Sequence, residues 1–358
     1  MLLTSIWERY FLRELSKIFV FFLFGFYGLY VLIDYSTHSS NFKKYHISFT
    51  DIATYYGFEF VTRMEILVPF AILIACIKIL CSLNRNNELI ALMASGIKLK
   101  RLMLPFAAFG LFFTGIIYFN SEVLQPMALK YHQHFEQTRT KEKQKKHHNP
   151  FIQQLTLEDG SSLVFQAYDI QSESFFDAYW IRSIDDIYRI RTLYPYAPIP
   201  KGITVEHFMR NSQGGLVIVE ILEEKLFPEM HFNKTTLLDT VISPANQSLA
   251  ALKEKLPSHR DILSEKEARL LTTFYYKLAL PWLCFLAAIA PIPFCTRFSR
   301  TLPIFFIYAF SLFGLVAFYL VMDASAILGE RQFLSPEIAI WMPFAIFASF
   351  FGWRYAKL

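Results

Sequence analysis

The chain has 358 residues, of which 54% are hydrophobic and 17% aromatic, and carries a formal net charge of +5. Such a composition places it with membrane proteins rather than with soluble two-domain chains. The positive charge does not point to nucleic acid, because many basic residues flank apolar runs instead of forming one stripe.

Trp7 to Lys17 mixes Arg9, Arg13 and Lys17 with Tyr10, Phe11, Leu12 and Leu15, the pattern of an interfacial helix leading into a span. The run Ile18 to Ile33 is predicted as the first transmembrane helix. It is long and aromatic, and Asp34-Tyr35-Ser36 follows it rather than the small-x-small site of a cleaved signal peptide. Ile66 to Leu83 is the second predicted span, with Glu59, Arg63 and Glu65 at its entrance, and Leu99 to Asn120 is the third.

Between the second and third spans lies Asn84 to Ile97, whose residues 85–97 read as a short helix. Asn86 or Asn87 can cap its start, Glu88 suits the positive end of the helix dipole, and Gly96 suits a left-handed helix end. Lys98, Lys100 and Arg101 follow directly. A helix of about ten residues reaches only about 15 Å, half a bilayer core, so it must lie at the surface.

The stretch 121–270 is polar and strand-like. Leu155 to Phe165 reads as two strands around Asp159-Gly160, and Ile203 to Phe208 with Leu216 to Leu222 flank a second turn at residues 211–215. Repeated hairpins imply a sandwich or roll. Glu122 to His148 and Ser248 to Arg269 read as helical connectors on either side. Leu271 to Pro291, with a kink expected at Pro281, Leu302 to Met322 and Glu337 to Trp353 are the last three spans. The fold class is therefore an α-helical membrane protein with six transmembrane helices, three plus three, and an inserted β domain. Its predicted divisions are an N-terminal membrane half at 1–120, a β domain at 121–270 and a C-terminal membrane half at 271–358.

Basic residues in short loops set the orientation. Arg9, Arg13, Lys17, Arg85, Lys98, Lys100, Arg101, Arg297, Arg300, Arg354 and Lys357 gather on one side, which the positive-inside rule makes cytoplasmic. Both termini are then inside and residues 121–270 outside. Lys141, Lys143, Lys145 and Lys146 run against this, although long exported domains largely escape the rule. The four cysteines, Cys76, Cys81, Cys284 and Cys295, lie in or beside apolar segments as small core residues, so the β domain has no internal disulfide.

The sequence has no phosphate-binding loop, no His-Glu-x-x-His pair, no nucleophile elbow and no dinucleotide fingerprint. No catalytic residue, metal site or cofactor is expected. His147-His148 reads as a solvated surface, and the triplet Asn233-Lys234-Thr235 carries no weight as a glycosylation site. Among ionisable residues near the spans, Lys78 is expected to snorkel, Arg63 to pair with Glu59 or to bind a lipid phosphate, and Asp323 to end a helix or lie in a loop.

Glu88-Leu89-Ile90-Ala91-Leu92-Met93-Ala94-Ser95-Gly96 resembles the signature of the lipopolysaccharide-export permeases, the LptF/LptG (YjgP/YjgQ) family. The likeness extends to Glu8-Arg9-Tyr10 before the first span and to Lys277-Leu278-Ala279-Leu280-Pro281 at the fourth. It implies that the short helix couples to a separate cytoplasmic ATPase dimer through Glu88, Leu89, Leu92 and Met93, with Ser95 and Gly96 ending it. It further implies a heterodimer with a paralogous permease and a cavity for lipopolysaccharide. An outer β-jellyroll would hand the lipid to a periplasmic bridge, with a single-span accessory subunit, in a Gram-negative inner membrane. By position, Phe26, Tyr30, Asp34 and Arg63, with Phe310, Phe313, Ala317 and Leu320, would line the cavity or its lateral gate. The chain departs from the family pattern at Lys141 to Lys146 and at Asp34, and Asp34 with the last two spans leans toward the G-type paralogue. From the residues alone, a membrane-anchored scaffold or sensor with a ligand-binding β domain is the alternative.

Overall fold

The computed structural model describes residues 5–44, 48–129, 131–132, 153–157, 159–169, 172–211, 215–231, 244, 247–257, 263–296 and 304–357. Two compact units emerge, Met1–Arg139 with Ala245–Leu358, and Thr140–Pro244. The polar connectors at 121–132 and 247–270 therefore group with the helices, not with the sheet. Lys141 to Lys146, His147-His148 and Asn233 to Thr235 lie outside the described residues.

In the helical unit α1 (Ile6–Lys44), α2 (Phe49–Arg85), the short α3 (Glu88–Ala94) and α4 (Leu99–Phe119) form the first half. With 39 residues, α1 is about 58 Å long, nearly twice the bilayer core. The helix does not stop at Asp34 as expected, because residues 34–44 contain neither proline nor glycine. After a five-residue π-helical segment (Asn120–Leu124) the third span continues to Leu129.

The second half opens with α5 (Leu249–Glu254) and α6 (Glu265–Ala279). The single helix expected over Ser248 to Arg269 is thus two helices. Pro257 lies between them, and a capping box of Ser264 and Glu267 restarts the second. Pro281 ends α6 in a 3-10 turn (Leu280–Trp282), followed by α7 (Leu283–Ile289) and α8 (Ile292–Thr296). Then come α9 (Ile304–Glu330) and α10 (Pro336–Ala356). Six helical stretches are long and apolar enough to cross a membrane.

Packing centres on α2 and the α6 to α8 stretch. From Ala71 to Cys81 every residue of α2 is buried except Lys78, which points out, and a helix apolar all round belongs in the middle of a bundle. On α1, Phe11, Leu15, Phe19 and Leu23 recur every fourth residue and are buried. They meet α4, with Phe19 4.4 Å from Phe113 and Phe11 6.0 Å from Phe106 between ring centroids. All four cysteines are buried and free, Cys81 and Cys295 having their sulfurs 3.7 Å apart.

Lys100 Nζ donates to the Ala356 carbonyl at 2.9 Å. With the Phe11–Phe106 contact, this puts the start of α1, the start of α4 beside α3, and the end of α10 at one end of the bundle. Asp323 is not a helix end: α9 runs on to Glu330, and the exposed Asp323 carboxylate accepts from Tyr276 of α6 at 2.7 Å.

The second unit is one antiparallel sheet in sequence order: β1 (Gln153–Thr156), β2 (Ser162–Asp169), β3 (Ser174–Ser183), β4 (Asp186–Tyr194), β5 (Lys201–Arg210) and β6 (Leu216–Leu226). Leu155 pairs with Leu163 and Val205 with Leu222, as the two predicted hairpins require. The β3–β4 hairpin is additional, and its turn at Ile184-Asp185 lacks the glycine that marks such turns in a sequence. Among the described residues the six strands follow one another as a simple meander. One face carries the core, with Leu163, Phe165, Phe175, Trp180 and Ile190 buried. Asp159 holds the first turn by accepting from the Ser161 hydroxyl at 2.6 Å, and that hydroxyl accepts from the buried Trp180 indole at 2.8 Å.

Gly110 marks the tightest approach of α4 to α7: a Cβ there would lie 2.7 Å from the Ala288 Cβ and 3.0 Å from the Cys284 carbonyl oxygen. Gly110→Val is therefore expected to destabilise the bundle by about 1–3 kcal/mol. Gly115→Ala, which meets nothing within 4 Å, should be neutral or mildly stabilising in thermal unfolding of the detergent-purified protein.

Candidate functional site

The short helix α3 has seven residues and stands between the ends of α2 and α4. Asn87, at φ 59°, takes the left-handed conformation that turns the chain out of α2, and Gly96, at φ 90°, does the same at the far end. Asn86 Nδ2 donates to Glu88 Oε1 at 3.2 Å, which orients the carboxylate at the first turn. The Ser95 hydroxyl donates to the Leu92 carbonyl at 2.7 Å and closes the last turn.

The predicted contact residues of this helix divide between two faces. Leu89 is 1% exposed and lies in the main core, and Leu92 packs half-buried against the same core. Both side chains anchor the helix to its own bundle and are not free for another molecule. Met93, Ser95 and Gly96 are exposed, Glu88 is partly exposed, and Ile90, unremarked in the sequence, is 52% exposed. The outward face is thus Ile90 and Met93 beside Glu88. A helix this short could have revealed Ile90 only through knowledge of which side meets α2.

A second cluster joins α1 and α2 at the opposite end of the bundle from α3. The Tyr30 hydroxyl donates to Glu59 Oε1 at 2.7 Å, and Arg63 Nε donates to the same oxygen at 2.9 Å. Arg63 also sits 5.0 Å over the Tyr30 ring. His132, which sequence reasoning missed, approaches Glu59 Oε2 at 3.2 Å. One turn further out, the Tyr56 hydroxyl donates to Asp34 Oδ2 at 3.0 Å. The structure therefore brings Tyr30, Asp34 and Arg63 together, with Glu59 as the hub. Arg63 takes the ion-pair role, and Phe26, half-buried on α1, lies outside this polar cluster.

Phe310, Phe313, Ala317 and Leu320 form a single exposed stripe along α9, Phe313 at 74% exposure. The stripe and the cluster lie on helices that do not pack on each other: α1 packs on α2 and α4, whereas α9 packs on α10, α6 and α2. Sequence reasoning also passed over the buried end of α6, where Lys277 Nζ donates to the Gln247 carbonyl at 2.7 Å. Nearby, Glu122 accepts from the Leu249 amide at 2.9 Å and so caps α5. Among the described residues no group of histidines, cysteines or carboxylates could hold a metal.

No curated protein matches the chain. The family described as lipopolysaccharide export system permease LptF/LptG matches over residues 9–357. With six membrane-length helices, an inserted antiparallel sheet and nearly the whole chain inside the match, this multi-pass membrane protein belongs to the LptF/LptG family of lipopolysaccharide export permeases.

Proposed function

We propose that the chain is the transmembrane permease subunit of an ABC-type transporter that extracts lipopolysaccharide from the inner membrane. In this reading it is not an enzyme: a separate cytoplasmic ATPase dimer hydrolyses ATP and grips α3. A paralogous permease completes a lipid cavity, and the β domain passes the lipid to a periplasmic bridge, with a single-span accessory subunit in the complex. The observation that carries this is the division of α3 into an anchored face at Leu89 and Leu92 and a free face at Glu88, Ile90 and Met93. A lever needs both. An exposed apolar pair beside a carboxylate suits a groove in a soluble partner, while burial of the opposite face ties any displacement of α3 to α2 and α4.

The orientation follows the positive-inside rule, which puts the bundle end bearing α3, the start of α1 and the end of α10 in the cytoplasm. At the outer end, the Glu59 hub fastens α1 to α2. The exposed stripe Phe310, Phe313, Ala317 and Leu320 offers α9 as the side that meets lipid or the paralogous permease. Lateral opening would then be a movement of the α1–α2 pair against a facing α9.

Glu88→Lys is expected to insert normally yet reduce ATP-dependent lipid release from proteoliposomes at least tenfold; normal release would sink the coupling role. Leu89→Ala should instead lower stability by about 2–5 kcal/mol, the usual cost of truncating a buried leucine, and Met93→Glu should weaken ATPase retention without that loss of stability. For the outer joint, Glu59→Ala leaves Tyr30 and Arg63 without their shared acceptor, at a cost of about 1–3 kcal/mol. It should also raise lipid release in the absence of ATP; a melting temperature and a basal release equal to wild type would show that Glu59 fastens nothing.

A further inference from the structure

An apolar cavity of about 310 Å³ lies between α7, α9 and α10, with Leu73 of α2 at its back. Leu283, Leu286, Phe306, Phe318 and Phe347 are among its walls, and Ser311 is the one polar lining residue among the described residues. A space of this character does not hold water stably. Phe310 and Phe350, 73% and 47% exposed, stand at its mouth, so it opens toward whatever surrounds the helices. For a membrane-spanning bundle, that medium is acyl chain.

One end of the cavity is cationic. Arg354, in the last turn of α10, places its guanidinium 5.3 Å from the Phe294 ring and 5.6 Å from the Phe350 ring, both of them lining residues. Its Nε is buried and has no hydrogen-bond partner among the described residues. A buried N–H of a charged group left unsatisfied is costly, and a guanidinium is shaped to receive phosphate oxygens. Lys100, held to the Ala356 carbonyl, and Lys357, 3.8 Å over the Trp353 ring, add positive potential at the same end.

We propose that this cavity is a resident site for one anionic glycerophospholipid, with an acyl chain in the slot and the phosphate on the Arg354 guanidinium. An apolar slot ending at a cation fits an amphiphile with an anionic head, and neither a free anion nor a hydrocarbon uses both halves. The volume suits part of one chain, not a lipid with many. Basic residues at a membrane surface favour anionic lipids in the same sense. The site lies within one chain at the α3 end of the bundle, and the inference is independent of the transport reading.

Gly314 supplies the means to test it, because it lines the cavity and a Cβ there would meet nothing within 4 Å. Gly314→Leu therefore fills the slot from a wall position whose Cβ meets no neighbour, and with a gain in helix propensity. The full-length chain, with its co-purifying subunits, is reconstituted in nanodiscs of equal phosphatidylglycerol and phosphatidylethanolamine, and retained lipid is counted by native mass spectrometry. Wild type is expected to retain one phosphatidylglycerol per chain. Arg354→Gln should lower that retention at least tenfold, Gly314→Leu should abolish it, and Phe112→Leu, exposed on α4 and not among the lining residues, should leave it unchanged. Equal retention of phosphatidylethanolamine, or unchanged retention in Arg354→Gln, overturns the proposal. So does a wild-type complex that holds no lipid, the result expected if an apolar side chain of a partner fills the slot.

Discussion

Burial of Leu89 in the main helical core is the contact on which a mechanical reading of this protein depends. Seven residues of helix have almost no stability of their own, so α3 keeps its shape and direction because Leu89 and Leu92 seat it on the main helical core. The left-handed residues Asn87 and Gly96 then act as corners on either side. A force applied to the free face reaches the long helices through a packed contact rather than through a slack loop. Packed interiors deform little, and small shifts at their edges move whole elements.

The opposite end of the bundle is organised by polar chemistry instead. Glu59 gathers Tyr30, Arg63 and His132 where α1 and α2 run on beyond the thickness of a bilayer core. Neither helix could stay paired there by apolar burial alone, since the residues between Asp34 and Lys44 are mostly polar. A carboxylate shared by several donors holds the two outer ends together. The bundle is therefore greasy and close-packed along its middle, where Gly110 lets α4 meet α7, and hydrogen-bonded at its outer rim.

A bilayer also explains why so many large apolar side chains remain uncovered. Phe310, Phe313 and Leu320 on α9 and Phe21 and Phe24 on α1 are exposed, which would make a soluble protein aggregate. Along a membrane helix the same side chains are either solvated by lipid or reserved for another subunit. At the Arg354 end of the inter-helical cavity, a buried guanidinium Nε without a hydrogen-bond partner among the described residues borders an apolar slot.

The six spans, the inserted β domain and the short helix after the second span were all readable from residues in order, because each depends on a local property: apolar length, alternation, or a cap. Helix ends were read less well. Asp34 and Asp323 look like boundaries in a one-dimensional hydropathy pattern, yet both sit inside helices, where Tyr56 and Tyr276 from neighbouring helices satisfy their carboxylates. The β3–β4 hairpin escaped for a related reason, its turn being stabilised by pairing rather than by glycine. Which face of α3 is free could be decided only by tertiary packing, for Leu89, Ile90 and Met93 are all apolar until the main core buries the first. Amino-acid order determined what crosses the membrane; three-dimensional contact decided which side chains are already used and which remain available to another molecule, since burial is a property of neighbours and not of residue type.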